Sequence, residues 1–139
     1  MREIKFKSDV LVYLASPYTS EDVAVRAARH AEALRAAAAM EVAGWMVFSP
    51  IAYGHQFAEA GAAFDWDSWS RYDQRVIRSC DVLCVLQIDG WARSRGVAAE
   101  VGYARSLNRP VWHLVPGENG YLLLRGDGEE PVRISQSPP

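Results

Sequence analysis

The chain has 139 residues and a mass of 15.5 kDa, the length of one domain with enough material for a single core. Half of the residues are hydrophobic and 23% are charged, an ordinary globular balance. A formal net charge of −2, with Lys and Arg scattered along the chain, excludes a general basic field for a nucleic-acid polymer, while a small anionic substrate needs only a few local donors.

No apolar run approaches the ~20 residues of a membrane span. The start, Met1-Arg2-Glu3-Ile4-Lys5, lacks the apolar stretch of a signal peptide, so a soluble cytoplasmic protein is expected. The two cysteines, Cys80 and Cys84, are too few for a disulfide scaffold or a zinc site. Both are expected to be reduced core residues, and neither a metal nor a cofactor is implied.

In chain order, Val10 to Ala15 is a near-continuous apolar run ending at Ser16-Pro17, the pattern of a strand buried on both faces of a parallel sheet. Thr19-Ser20-Glu21-Asp22 is a helix-start cluster, and the Ala-rich segment after it extends to Ala43, with Gly44 closing it. Trp45 to Phe48 is a second strand. Residues 51–66 have no clean period and contain Gly54 and Gly61, which predicts a long loop with at most one helical turn. Asp67-Ser68 starts a helix to about Ser79, and Val82 to Ile88 is the third strand. After the loop from Asp89 to Arg93, Ser94 caps a helix ending at Leu107-Asn108, and Val111 to Val115 is the fourth strand.

This alternation predicts one α/β domain spanning residues 1–139: a flavodoxin-like or Rossmann-like open parallel sheet of order 2-1-3-4, with helices on both faces. In residues 116–139, Tyr121 to Arg125 and Val132 to Ser135 read as a hairpin around Gly126-Asp127-Gly128. A fifth sheet strand followed by a disordered end is the alternative, and Ser137-Pro138-Pro139 is expected to fray.

Two acids stand on apolar helical faces. Trp69, Val76, Ile77 and Cys80 form one stripe with Asp73 in its middle, and Val97, Val101, Ala104 and Leu107 form another that contains Glu100. Burial of a carboxylate is costly and raises its pKa. Either acid alone reads as readily as a structural residue, at the stripe's edge or meeting an Arg, as it does as a functional one. Together they can supply a nucleophile and a proton donor. In an open parallel sheet, ligands bind beyond the carboxyl ends of the strands. The loops at those ends carry Ser16, Tyr18, His55, Asp89, Arg93 and Ser94, and the amides of Arg95, Gly96 and Val97 open a helix suited to an anion. His55 can contact phosphate or base there, or stand solvated.

The segments Val12-Tyr13-Leu14-Ala15-Ser16-Pro17-Tyr18, Asp73 eight residues before Asp81, Ser94-Arg95-Gly96-Val97-Ala98-Ala99-Glu100-Val101-Gly102-Tyr103-Ala104 and Arg109-Pro110-Val111 together resemble the nucleoside 2-deoxyribosyltransferase superfamily. They are also similar to the 2′-deoxynucleoside 5′-monophosphate N-glycosidases, and the chain looks closest to a bacterial and phage branch that is DUF1937-like. The resemblance covers roughly Val10 to Val115. It implies cleavage or transfer at an N-glycosidic bond, with Glu100 as the nucleophile at C1′, Tyr13 holding Glu100, and Asp73 protonating the leaving base. It places Asp89 at the base and Ser94 at a 5′-phosphate, with Gly96 beside it. The implied ligand is a small nucleotide or nucleoside, and the implied assembly is a homodimer in which a neighbouring subunit completes the pocket. A nucleotide-sensing module of the same fold is the competing reading. Two departures stand out: Ser16-Pro17-Tyr18 replaces a Gly-rich turn, and Phe64-Asp65-Trp66-Asp67-Ser68-Trp69 is rich in Trp, for stacking on a base or packing a dimer.

Overall fold

The computed structural model describes residues 3–136. The expectation for the last three residues falls outside them. Four parallel strands form the centre of the molecule: β1 (Leu11–Ala15), β2 (Met46–Phe48), β3 (Val82–Leu86) and β4 (Val111–Gly117). Their order is β2-β1-β3-β4, as the alternation predicts. β1 pairs with β2 from Leu11↔Met46 to Tyr13↔Phe48, and with β3 from Val12↔Val82 to Ala15↔Val85. Every residue of β3 is buried, as is β1 from Val12 on, which is why both read as unbroken apolar runs.

The sheet continues beyond the expected order. β5 (Gly120–Leu124) and β6 (Val132–Ser135) add to the β4 edge, both antiparallel to their neighbours, so the sheet is mixed with six strands. β5 and β6 pair with each other as a hairpin, and that hairpin joins the sheet through β4. Only Glu118 and Asn119 separate the paired Gly117 and Gly120, a connection too short for anything but an antiparallel return. Gly120 is obligatory in this turn: its φ is +147°, and an added Cβ would lie 2.1 Å from the Ile134 carbonyl oxygen.

Helix α1 (Val23–Val42) begins at Asp22, whose carboxylate accepts from the Ala24 amide. It ends where Gly44 adopts a φ of +104° and the Trp45 amide donates to the Met40 carbonyl. The predicted loop over residues 51–66 is corrected: Pro50–Glu59 is a helix, α2, capped by Ser49 with Pro50 at its start. Its inward face carries Ile51, Gly54, His55 and Ala58, a proper helical spacing. That face looks into a cavity rather than a dry core, so its Gly and His hide the apolar period. Helix α3 (Trp66–Ile77) starts one residue before the Asp67-Ser68 signal, because Asp65 is the cap that accepts from the Ser68 amide. Helix α4 (Arg95–Ser106) is capped by Ser94, as read, and Asn108 follows it with a φ of 58°.

The chain reverses direction across the sheet between β1 and β3. α1 carries it from β1 to β2 on one side, and α4 carries it from β3 to β4 on the other. A crevice opens at the carboxyl ends of such a pair of strands.

Candidate active site

That crevice holds a cavity of about 400 Å³. Its floor is the loop after β1 (Ser16, Pro17, Tyr18, Thr19), one wall is the inward face of α2, and another is Gly90 with Arg93 to Gly96 at the start of α4. Residues 63–67 and Trp69 cover it. The cover is fastened at several points. Thr19 Oγ1 donates to the Phe64 carbonyl at 3.2 Å, Trp69 Nε1 donates to the Ala63 carbonyl at 2.7 Å, and the Arg26 guanidinium lies 3.9 Å over the Phe64 ring. Arg95 holds Asp67 through two bonds of 2.9 and 3.2 Å, tying α4 to α3.

Asp73 and Glu100 both line this cavity, and both are buried, 8% and 5% exposed. Asp73 comes from the third turn of α3, Glu100 from the second turn of α4, and the Tyr13 hydroxyl donates to Glu100 Oε2. Tyr13 stands behind the cavity wall, fully buried in mid-strand of β1. Burial raises the Asp73 carboxyl to about 7, with the Tyr13 hydroxyl opposing the rise. Burial also raises Glu100, to about 8, opposed by the same hydroxyl and reinforced by the charge of Asp73. Near neutral pH the two acids therefore hold roughly one proton between them. Burial, followed by the two carboxylates, pushes Tyr13 well above its usual range, so it remains a hydrogen-bond donor.

The other predicted residues divide. Ser16, Tyr18, His55, Ser94 and Gly96 all line the cavity with the acid pair. Ser94 Oγ accepts from the Val97 amide at 3.1 Å, which uses one lone pair and leaves its proton for another partner. Asp89 is exposed and lies outside the lining. Arg93 lines the cavity and has no ion-pair partner among the described residues, whereas Arg95 is committed to Asp67. Both cysteines are buried free thiols, and burial raises Cys80 to about 11. Trp66 and Trp69 line the cavity too. An added Cβ at Gly96 would be 3.8 Å from Trp66, so that ring packs on the opening turn of α4.

Sequence reading missed Arg29, which lines the cavity from α1 and donates to the Thr19 carbonyl at 2.9 Å. The signal was present: Arg26, Arg29 and His30 share one face near the start of an otherwise Ala-rich helix.

A family model described as "Domain of unknown function (DUF1937)" matches residues 10–115, about three quarters of the chain. The protein belongs to that family. Its structure is similar to that of a 2-deoxyribosyltransferase from the psychrotolerant bacterium Bacillus psychrosaccharolyticus, with a TM-score of 0.55 and 27% identity over 78% of this chain and 75% of that one. The DUF1937 protein thus sits in the nucleoside 2-deoxyribosyltransferase-like superfamily, in agreement with the resemblance seen in its motifs. No curated protein matches it in sequence. None of its helices, among the described residues, is long and apolar enough to cross a membrane.

Proposed function

We propose that this protein cleaves or transfers at the N-glycosidic bond of a nucleotide or nucleoside through a covalent glycosyl-Glu100 intermediate. The observation that carries the reading is that two buried carboxyls, Asp73 and Glu100, line one cavity, with Tyr13 bonded to Glu100. The structural likeness to a 2-deoxyribosyltransferase supports the same chemistry.

In the first step Glu100, ionised, attacks C1′ and the C1′–N bond breaks. Its electron pair leaves with the base, which takes a proton from Asp73. The single proton shared by the pair must then reside on Asp73. A base nitrogen that accepts a hydrogen bond from Asp73 favours that arrangement, and the Tyr13 hydroxyl, which donates to Glu100 Oε2, supports charge on Glu100. In the second step Asp73, now ionised, takes a proton from water or from an incoming base. That nucleophile attacks C1′ and releases Glu100 as a carboxylate. Trp66 offers a stacking surface for the base.

The start of α4 suits a 5′-phosphate. The Arg95 and Gly96 amides lie in its first turn, and the Ser94 hydroxyl and the unpaired Arg93 line the same end of the cavity. A homodimer is part of this proposal. Phe57, Tyr53, Trp69 and Tyr72 form a chain of ring contacts, and Tyr53, Phe57 and Tyr72 are 38–45% exposed, an apolar face suited to a second copy. Light scattering at micromolar concentration checks it, and a monomer refutes it.

The direct test of the activity is incubation with deoxynucleosides, ribonucleosides and their monophosphates, scored for released base. Release from none, with no binding by calorimetry, would refute the reading. Binding without release would favour the sensing module. A monophosphate is expected to bind at least about tenfold more tightly than its nucleoside, and Ser94→Asp is expected to erase that difference.

A further inference from the structure

Apart from the acid pair, one polar grouping on the cavity wall joins three elements. The Tyr18 hydroxyl lies 2.7 Å from His55 Nδ1. Across the ring, His55 Nε2 is 3.5 Å from Glu59 Oε1, one turn further along α2. His30 of α1 stacks on His55, with centroids 4.1 Å apart and planes 13° from parallel, so the imidazole is held in one orientation. Tyr18 and His55 line the cavity, whereas Glu59 and His30 do not. Beside Tyr18, Ser16 also lines it, and its buried Oγ has no hydrogen-bond partner among the described residues.

Donor and acceptor counting fixes where the Tyr18 proton goes. A carboxylate only accepts, so Nε2 carries the hydrogen that faces Glu59. An imidazole with its one hydrogen on Nε2 keeps a lone pair on Nδ1, which accepts from the Tyr18 hydroxyl. Arg26, whose charge and N–H donor both act on the Tyr18 oxygen, has donors only and cannot take that proton. With Arg26 on one lone pair, the valence left to a ligand is the other lone pair. Its ligand partner must therefore be a donor, and the orphaned Ser16 hydroxyl next to it can give or receive.

We propose that Glu59, acting through His55, sets Tyr18 as a pure acceptor, and that Tyr18 with Ser16 selects a substrate bearing a free 3′-hydroxyl on its sugar. This rests on the glycosidic reading above. With C1′ at Glu100, the base at Asp73 and the 5′ end at the start of α4, the ring edge left over faces the loop after β1. A hydroxyl on that edge donates to Tyr18 and accepts from Ser16. A ligand that lacks the hydroxyl leaves the buried Ser16 hydroxyl unpaired and forfeits the bond to the half-buried Tyr18 oxygen, and that loss makes the discrimination. Tyr18 touches the substrate, whereas His55 and Glu59 are positioning residues.

The test compares a 2′-deoxynucleoside monophosphate with its 2′,3′-dideoxy counterpart at pH 7.5. Affinities are measured by calorimetry in a Glu100→Gln background, so that neither ligand is consumed, and kcat/KM ratios of the otherwise unmodified protein give a second readout. The expected preference for the 3′-hydroxyl is about tenfold. Tyr18→Phe should bring the two ligands level by weakening only the hydroxylated one. Glu59→Leu should lose part of the preference, and Glu59→Gln, which can still accept from Nε2, should restore it. Equal affinities in the unmutated Tyr18 background, or a Tyr18→Phe effect equal on both ligands, would overturn the proposal and leave the glycosidic reading standing. Failure of both ligands to bind at all would remove the two together.

Discussion

The two faces of the sheet are built from alternate residues of the same strands, yet they serve different ends. Val12 and Leu14 of β1 point toward α1, with Cys84 and Leu86 of β3, into a layer completed by Ala33, Ala36, Ala37 and Met40. Tyr13 and Ala15 point the other way, with Leu83 and Val85, against Ile77 of α3 and Val97 and Ala104 of α4. The α1 face is dry and apolar, and its small side chains let the helix sit close to the strands. The opposite face accepts two carboxyls and a phenol at the same depth, at the desolvation cost seen in the raised values of Asp73 and Glu100. One face supplies cohesion, and the other spends part of it on chemistry.

The largest effect is expected at Glu100. Glu100→Gln keeps the shape and removes the nucleophilic charge, so base release should fall about a thousandfold or more. The same variant should be no less stable than the parent at pH 8, which calorimetric melting checks. The sign follows from linkage. Asp73 and Glu100 keep their protons to about 7 and about 8 in the folded chain, while an unfolded chain releases such protons near pH 4. Their contribution to stability is therefore full below about pH 4 and is lost as the pH rises through 7 and 8. Glu100→Gln should flatten that decline. A variant that melts earlier than the parent at pH 8 would contradict this.

Asp73→Asn comes next. It should slow base departure by about 10²- to 10⁴-fold for a neutral purine or pyrimidine, the range of a lost general acid. A base that leaves as a neutral species without protonation, such as 7-methylguanine, should lose far less. Equal losses for both leaving groups would show that Asp73 is not the acid. On the other face Met40→Ala should cost about 2–5 kcal/mol of stability by opening a cavity under α1. Its turnover per folded molecule should be unchanged, which denaturant titration combined with assays at low temperature measures.

How much of this was legible in the sequence also differs between the faces and the rim. Strands buried on both sides announce themselves as apolar runs, and Asp73 and Glu100 stood out because each interrupts a helical apolar stripe. The caps at Asp22 and Ser94 and the turn at Gly44 followed from local chemistry alone. The rim was less readable. α2 carries Gly54 and His55 on its inward face because that face meets a ligand cavity, so periodicity, which detects dry burial, read it as a loop. Arg29 was overlooked because each cation on an Ala-rich helix, taken singly, looks like a solubilising residue until the fold brings it beside Thr19. Glu59 gains its meaning only from a ring placed by α1, α2 and the loop after β1 together, a long-range arrangement that no local pattern encodes. Asp89, the reverse case, matched a motif position yet lies exposed outside the cavity lining.

The smallest effect is expected at the Arg95–Asp67 pair, which bridges the two helices that carry the acids. Its geometry is good, with two bonds of 2.9 and 3.2 Å, but its side chains are 75% and 67% exposed. Solvent and salt therefore screen it, and such pairs contribute about 0–1 kcal/mol. Arg95→Ala should lower Tm by a few degrees at most, and less at 1 M salt than at 0.05 M. Its effect on the site should be steric before it is electrostatic, because Asp67 lies in the segment covering the cavity while Asp73 and Glu100 are held from below by Tyr13 and the strands. Turnover should consequently change within about threefold, with KM moving more than kcat as the cover loosens. Steady-state kinetics at the two salt concentrations decide the point. A kcat collapse comparable to that of Asp73→Asn would mean that the pair, and not the sheet face behind it, sets the geometry of the acids.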